Sequence, residues 1–459
     1  MKVMIVGAGK LGYKLAELMN NENIDVTLVD VNFETLERIN DHLDVLTVVA
    51  NGIQIGRLKE LNIQTYDLLV AATSSDETNT LICSLAKKLG CKKTIARIRN
   101  PEFTEQLDFV KTEMGIDHII NPDLTTAIEI ERYLLKSYNF YSGDFAKGKV
   151  SMVDFNIANI EGFIGKRIMD LEGLEGVLIT AISRDGDLII PNGSTKLIED
   201  DVIHVIGKSK NINKLGERLK TNMDKKHTKK VMIFGGGKIG YYLAQRLEKS
   251  NVYVTIVEKD KSRCEYLSER LNHTLVIYGD GTDINLLEEE DLASMGAFIG
   301  ATGFDEQNLL MALVAKQLGV SKTIAKISRP NYINIIDKLD IDVALNPINI
   351  TASDILRFIR GGKVVSVSLL LGGQGEVTEI IASEELPIVG KPLSKLGLPE
   401  GIIIGAIVHK GEVVIPNGDT IIYPQDRIVV FSLSSDMVSF KKMIKPNKGG
   451  ILSEFWSNH

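Results

Sequence analysis

Cysteine is scarce, three in 459 residues: Cys83, Cys91 and Cys264. Three thiols build no disulfide framework, and each reads as a buried thiol in a reducing cytoplasm. No Cys-x-x-Cys or His-x-x-x-His pattern occurs, and the seven histidines are scattered, so no transition-metal site is expected. Long apolar runs are missing too. No stretch approaches the roughly 18 uninterrupted apolar residues of a membrane-spanning helix. The first strand starts at Val3, so a signal peptide is not expected. Positive charge is not in excess, the formal net charge being −7. Nucleic acid and anionic lipid both attract a basic face, so neither is expected as a partner.

What is present is ordinary for a globular chain, 44% apolar and 25% charged, with length for roughly three domains at about 150 residues each. One stretch organises the rest. Val3–Val6 is an apolar run, Gly7-Ala8-Gly9-Lys10-Leu11-Gly12 follows, and apolar residues at 11, 15, 18 and 19 then take helical spacing. Strand, G-x-G-x-x-G turn and helix form a dinucleotide fingerprint. The first glycine permits the turn, the second lets a pyrophosphate approach the backbone, and the third lets helix and strand pack closely. The helix start then faces the anion. Asp30 closes a second strand, Asp25–Val29, about 20 residues on, where a carboxylate accepts both ribose hydroxyls. The pattern returns as Val231–Phe234, Gly235-Gly236-Gly237-Lys238-Ile239-Gly240 and, at the same distance as before, Glu258.

Further strands are expected at Val45–Ala50, Asp67–Ala72, Thr94–Ile98 and His118–Ile120, with a helix at Asp76–Leu89. Such alternation implies a doubly wound parallel sheet with its ligand outside the carboxyl ends of the strands. Thr73, Ser74 and Arg97 stand at those ends. Arg97 either faces phosphate or makes a surface salt bridge. A helix at Asp123–Ser137 exchanges between subunits, bridges to the next unit or simply connects. Tyr138–Lys149 reads as a polar connector. Residues 150–210 change to short strands and frequent turns, with a hairpin of Val177–Ser183 and Leu188–Ile190 and a last strand at Asp201–Ile206. That small α+β unit is too small to enclose a pocket alone. Thr221–Lys230 is polar and basic, a linker.

Then the chain repeats. Thr73-Ser-Ser-Asp-Glu-Thr-Asn returns as Thr302-Gly-Phe-Asp-Glu-Gln-Asn, Thr94-Ile-Ala-Arg-Ile as Thr323-Ile-Ala-Lys-Ile, and Pro191-Asn-Gly as Pro416-Asn-Gly. The expected organisation is a tandem duplication. Its parts are sheet domains at 1–122 and 230–347, a connecting helix and linker at 123–149, and a connecting helix at 348–362. Small domains follow at 150–215 and 363–445, with a linker at 216–229 and a tail at 446–459 that carries Trp456.

Gly7-Ala-Gly-Lys-Leu-Gly, Asp30, Ala71-Ala-Thr-Ser-Ser-Asp-Glu-Thr-Asn and Thr94-Ile-Ala-Arg-Ile together resemble the RCK (KTN) regulatory domain over nearly the whole chain. The resemblance implies two Rossmann-like domains, each followed by a small α+β domain. It implies a cytoplasmic regulatory subunit without catalytic residues, held on the inner face of the membrane by a potassium transporter of TrkH or TrkG type. It implies control by NAD(H), with ATP or ADP as further ligands. Its contacts map onto Gly7, Ala8, Gly9, Lys10, Leu11, Gly12, Asp30, Thr73, Ser74 and Arg97. In the second half they map onto Gly235, Gly236, Gly237, Lys238, Ile239, Gly240, Glu258 and Thr302. Two departures stand out. The second half lacks the Ser-Ser pair and carries Lys326 in place of Arg, losing a bidentate phosphate contact. It is expected to prefer another nucleotide or to bind weakly. A homo-oligomer of two to four chains suits a symmetric transporter. The alternatives are an NAD-dependent oxidoreductase and a nucleotide-sensing regulator of another channel or antiporter. The first lacks a large substrate domain with a positioned base.

Overall fold

The computed structural model describes residues 1–22, 24–104, 107–135, 143–160, 162–218, 229–329, 332, 339–360, 364–370, 373–436 and 439–440. Most of the expected linker and the whole tail lie outside them. Contacts divide the chain into two compact units: residues 1–126 with 347–355, and the remaining described residues.

The first unit is built on six parallel strands: β1 (Lys2–Val6), β2 (Asp25–Asp30), β3 (Leu46–Val49), β4 (Leu68–Ala71), β5 (Lys93–Arg97) and β6 (His118–Ile120). Their order is β3-β2-β1-β4-β5-β6. Val3, Met4 and Ile5 have no exposed surface, as a central strand covered on both faces requires. Helices α1 (Lys10–Asn21), α2 (Phe33–Asn40), α3 (Ile55–Glu60), α4 (Asp76–Lys88), α5 (Pro101–Thr104) and α6 (Leu107–Met114) follow the strands. The apolar stripe Leu11, Leu15, Leu18 and Met19 of α1 is buried. Ile82, Cys83 and Ala86 of α4 join Met4, Val6 and Leu69 in one core. The sheet order reverses between β1 and β4, which opens a crevice at their carboxyl ends. In the same unit Asp354 Oδ2 lies 3.7 Å from His118 Nε2 on edge strand β6.

The second unit holds three sheets. A small antiparallel sheet comprises β7 (Gly143–Phe145), β8 (Val150–Asn156), β9 (Val177–Arg184), β10 (Asp187–Ile189) and β11 (Val202–Lys208), ordered β10-β9-β11-β8-β7. Helix α7 (Pro122–Leu135) precedes it and α8 (Ser209–Arg218) follows. A second parallel sheet repeats the first: β12 (Lys230–Phe234), β13 (Tyr253–Glu258), β14 (Thr274–Tyr278), β15 (Ala297–Gly300), β16 (Lys322–Lys326) and β17 (Val343–Leu345), ordered β14-β13-β12-β15-β16-β17. Its helices are α9 (Lys238–Lys249), α10 (Lys261–Arg270), α11 (Ile284–Glu289) and α12 (Asp305–Gln317), and α13 (Pro347–Arg360) leads on. The last sheet comprises β18 (Val364–Leu370), β19 (Gly375–Ile381), β20 (Ile402–His409), β21 (Glu412–Val414) and β22 (Arg427–Leu433). It is ordered β18-β19-β22-β20-β21, the same topology as the first small sheet.

Strand and helix boundaries fall within one or two residues of expectation, the usual scatter of element ends. Three features differ or add. First, the connector reading fails at its described end: β7 pairs with β8, and Phe145 and Ala146 are buried. Residues 138–142 lie outside the described chain. Second, the two small sheets share one core, in which Phe145, Met152 and Ile206 meet Val377, Ala406 and Phe431. Third, α7 packs on the second parallel sheet domain. Glu131 Oε2 accepts from Arg246 Nε at 2.5 Å. The carbonyl of Leu134 accepts from the buried ammonium of Lys322 at 3.3 Å. A cation there meets the negative end of the helix dipole. Among the described residues no helix is long and apolar enough to cross a membrane.

Candidate functional site: two glycine-loop crevices

The glycines of the fingerprint do different work. Gly7 has φ +108°, and a Cβ on it would lie 2.8 Å from the backbone of Ala72 and Thr73. A Cβ on Gly12 would collide with the carbonyl oxygen of Gly7. Both positions are therefore demanded by the chain itself. Gly9 is not: a Cβ there would meet nothing within 4 Å, and its φ of −67° suits any residue. The space beside Gly9 is open, and Gly9 caps α1 without a side chain to accept the first amides. The second half repeats this. Gly235 has φ +107° and abuts Thr302, Gly240 abuts the carbonyl of Gly235, and Gly237 faces open space.

The acids arrive as expected. Asp30 Oδ2 accepts the Ala8 amide at 2.6 Å, and Oδ1 accepts the Asn32 amide at 2.9 Å. Glu258 does the same for Gly236 at 2.7 Å and Asp260 at 2.9 Å. Each carboxylate keeps about half of its four acceptor positions. The longer Glu258 takes up room: a Cβ on residue 236 would lie 3.2 Å from its Oε2 and 2.5 Å from Leu267, so glycine stands where the first half has Ala8. Arg263 adds a feature absent from the first half, donating from Nε to the Gly236 carbonyl at 2.6 Å.

The threonines close the crevice. The Thr73 amide and hydroxyl both donate to Asn79 Oδ1, at 2.9 and 2.7 Å. Asn79 Nδ2 donates to the carbonyls of Thr73 (3.2 Å) and Arg97 (2.9 Å). Asn308 binds Thr302 and Lys326 in the same way. Asn79 and Asn308 are fully buried. Asp76 Oδ2 accepts the amides of Arg99 and Asn100, and Asp305 Oδ2 those of Ser328 and Arg329. The motif that carries the family resemblance is thus a clamp joining the ends of two neighbouring strands. The motif as sequence assigns no role to its Asn and Asp, although a polar residue buried in a helix's first turns signals such a task.

Of the two roles weighed for Arg97, the surface salt bridge is absent among the described residues. Arg97 donates to the Thr73 carbonyl at 3.2 Å. Its Nε is buried without a hydrogen-bond partner among the described residues. Burial, then the nearby Arg99, lowers the affinity of its guanidinium for a proton. Lys326 makes the equivalent donation to Thr302 at 2.5 Å. Ser74 is exposed and makes no hydrogen bond among the described residues. The side chains of Leu11 and Ile239 are buried, leaving their backbones toward the crevice, while Lys10 is exposed and Lys238 half-buried. Ser75 caps α4, accepting the Thr78 amide at 3.0 Å. Phe304 stands in its place and gives α12 no side-chain cap, a loss of about 1 kcal/mol.

In each half these contacts bring together the glycine loop, the acid, the threonine and the basic residue. Among the described residues no group of three His, Cys, Asp or Glu is placed to hold a metal, and all three cysteines are buried and free.

The TrkA-N domain model matches residues 3–122 and 231–347, and the TrkA-C domain model matches 152–220 and 377–445. The chain is 36% identical to the Trk system potassium uptake protein TrkA homolog 1 of Methanosarcina mazei, over 97% of this chain and 100% of that one. It is 34% identical to Trk system potassium uptake protein TrkA of Vibrio alginolyticus, over 96% and 97%. Among solved structures, the GsuK RCK domain aligns with TM-score 0.56 at 19% identity, covering 96% of this chain and 94% of that one. The GsuK channel bound to NAD aligns with TM-score 0.55 at 18% identity, covering 96% and 78%. With both domain models matched twice and full-length relatives above 30% identity, the chain belongs to the TrkA family of potassium-uptake proteins.

Proposed function

We propose that this chain is a regulatory subunit that binds NAD(H) in the first crevice, with the second taking another nucleotide or binding weakly, and gates a membrane potassium transporter of TrkH or TrkG type. It is a regulator and not an enzyme, in keeping with its family. The observation that carries the ligand is the open space at Gly9 and Gly237, flanked by glycines that the chain cannot replace. A Cβ-free surface that the fold does not need suits a pyrophosphate lying against the backbone. The helix amides supply donors for its charge. Asp30 and Glu258 supply acceptors for ribose, and Arg97 a desolvated cation at the strand ends. The solved channel bound to NAD has the same fold. ATP and ADP share the adenosine and are the further ligands of the reading.

The transporter reading rests on the relatives, whose names place them in Trk potassium uptake. With formal charge −7, the chain is drawn to its membrane through protein rather than anionic lipid. It works as an oligomer of two to four chains on the inner face. Calorimetric titration of NAD, NADH and NADP tests the ligand: NAD(H) binds, and NADP binds more weakly because its 2′-phosphate meets the Asp30 carboxylate. A clear preference for NADP, or steady NADH consumption with a carbonyl substrate, overturns the reading. Fractionation tests the partner. The protein pellets with membranes that contain the transporter and stays in solution without it. Binding to bare anionic vesicles, or a monomer by light scattering with and without nucleotide, refutes the corresponding part.

A further inference from the structure

We propose that Phe304 is the base-stacking residue of the second crevice and makes the two halves hold nucleotides unequally. The proposal rests on the nucleotide reading above and specifies one contact within it. Phe304 follows the Thr302 turn at the carboxyl end of β15 and is 55% exposed. It adds nothing to the core and removes the cap that Ser75 gives the first half. Packing and helix stability therefore both argue against phenylalanine here. Its surroundings argue for it. The ammonium of Lys259 lies 5.3 Å from the ring centroid, and Lys259 directly follows Glu258, the ribose acid. The ring thus faces the β13 loop across the crevice, beside the position that Glu258 assigns to the sugar. Gly303, next to the ring, leaves open space as well.

An exposed aromatic face within reach of a bound ribose is a stacking platform for a base. The ammonium over it is one exposed cation–π contact, a weak one that a purine can replace. In the first half the same two positions are Ser75 and the exposed Val31, so no aromatic ring stands there. The second half also has Lys326 for Arg97. The stacking residue offsets a weaker phosphate contact there.

The test uses the full chain with the first crevice blocked by Gly9→Val. Two further variants carry Phe304→Ser or Phe304→Trp in that background. Phe304→Ser restores the residue that caps the first half, so a loss of affinity cannot come from a weakened helix. ADP is the probe, with inorganic pyrophosphate as the probe that has no base. Phe304→Ser weakens ADP by about five- to tenfold. Phe304→Trp stays within about twofold of the parent, with quenched indole emission on binding. Pyrophosphate binds all three alike. Equal ADP affinity of the parent and the Ser variant overturns the proposal, as does an equal loss for pyrophosphate. A parent that binds no ADP removes the nucleotide reading of the second half, and the stacking role with it.

Discussion

The Asp30 carboxylate accepts the Ala8 amide at 2.6 Å, so the end of β2 and the glycine loop are one rigid piece. Both groups therefore form a preformed pair at the carboxyl ends of β1 and β2. The two halves keep this relationship while changing both residues, since Glu258 holds Gly236 at 2.7 Å.

On the proposed nucleotide reading, the charge of Asp30 should set selectivity. In a chain with the second crevice blocked by Gly237→Val, Asp30→Asn keeps an acceptor for the Ala8 amide and removes the negative charge. NAD binding is expected to weaken by about tenfold or less, the worth of a charged hydrogen bond set against a neutral one. Discrimination against NADP falls, because no like charge opposes the 2′-phosphate. Calorimetry of both ligands decides it; unchanged discrimination means that Asp30 does not face the 2′ position.

The glycines separate fold from binding. Gly12→Ala drives a methyl into the Gly7 carbonyl and should abolish a folded first unit. Gly9→Ala enters open space and should change stability by about 1 kcal/mol or less. Gly9→Val should fold and lose nucleotide. Circular dichroism and thermal melting of the purified chains read the first contrast, and calorimetry reads the second. A Gly9→Val chain that binds as the parent does would place the ligand elsewhere.

The glycine loops, the acids and the strand–helix alternation were legible because they are local. A turn needing positive φ, or an apolar run flanked by a helical stripe, shows within about 15 residues of sequence. What stayed hidden depends on partners far away in the chain. Phe145 sits in a polar stretch, and its core neighbours Val377 and Phe431 come from the other half. The connecting helix α7 has an apolar pattern, yet only Arg246 and Lys322 reveal which surface it packs on. Gly236 looks like one more fingerprint glycine; the longer Glu258 and Leu267 are what exclude a side chain there. Asn79 was visible as a motif letter, but its clamp on Thr73 and Arg97 needs two strands side by side.

That clamp carries a stability prediction. Asn79→Ala leaves the Thr73 amide and the Thr73 and Arg97 carbonyls without their buried partner. Each orphaned group costs about 1–3 kcal/mol before relaxation, so a net loss of about 2–4 kcal/mol is expected. Asn79→Asp is isosteric but accepts only, losing both donated bonds while burying a charge, so it should be no milder. Urea denaturation gives the loss, and hydrogen exchange at the ends of β4 and β5 should rise first. Parent-like exchange there would show that the clamp is dispensable.

The buried thiols give the pH dependence its alkaline side. Burial pushes Cys91 up to about 11 from an ordinary value of 9.0, and burial raises Cys83 further still. The unfolded chain loses these protons near its ordinary thiol value while the folded chain keeps them. The native state then binds more protons, so stability is full below pH 9 and falls as pH rises toward 11. Replacing Cys83 and Cys91 with Ala should flatten that fall. The native chain should also react slowly with a thiol reagent at pH 8 until it unfolds. Fast labelling of all three cysteines in the native chain would contradict the burial.

The regulatory claim makes a thermodynamic demand. A ligand moves a gate only if it binds the open and closed states with different affinity. The crevice suits this, because the glycine loop with Asp30, at the ends of β1 and β2, and Arg97, at the end of β5, are separate pieces that a dinucleotide would tie together. A difference of about 1.4 kcal/mol between the states shifts the open–closed ratio tenfold. Linkage is reciprocal, so the transporter must shift nucleotide affinity by the same factor. Dissociation constants for NADH and ATP, measured on the isolated chain and on the complex held open or closed, should therefore differ between the two held states. Equal constants would leave a nucleotide that only holds the fold. Gly9→Val and Gly237→Val then locate the sensor, since each puts a side chain into the space proposed for one pyrophosphate, where a Cβ meets nothing of the chain within 4 Å. A transporter that ignores nucleotide in the Gly9→Val complex and responds in the Gly237→Val complex places the switch at Asp30. The opposite pattern moves it to Glu258.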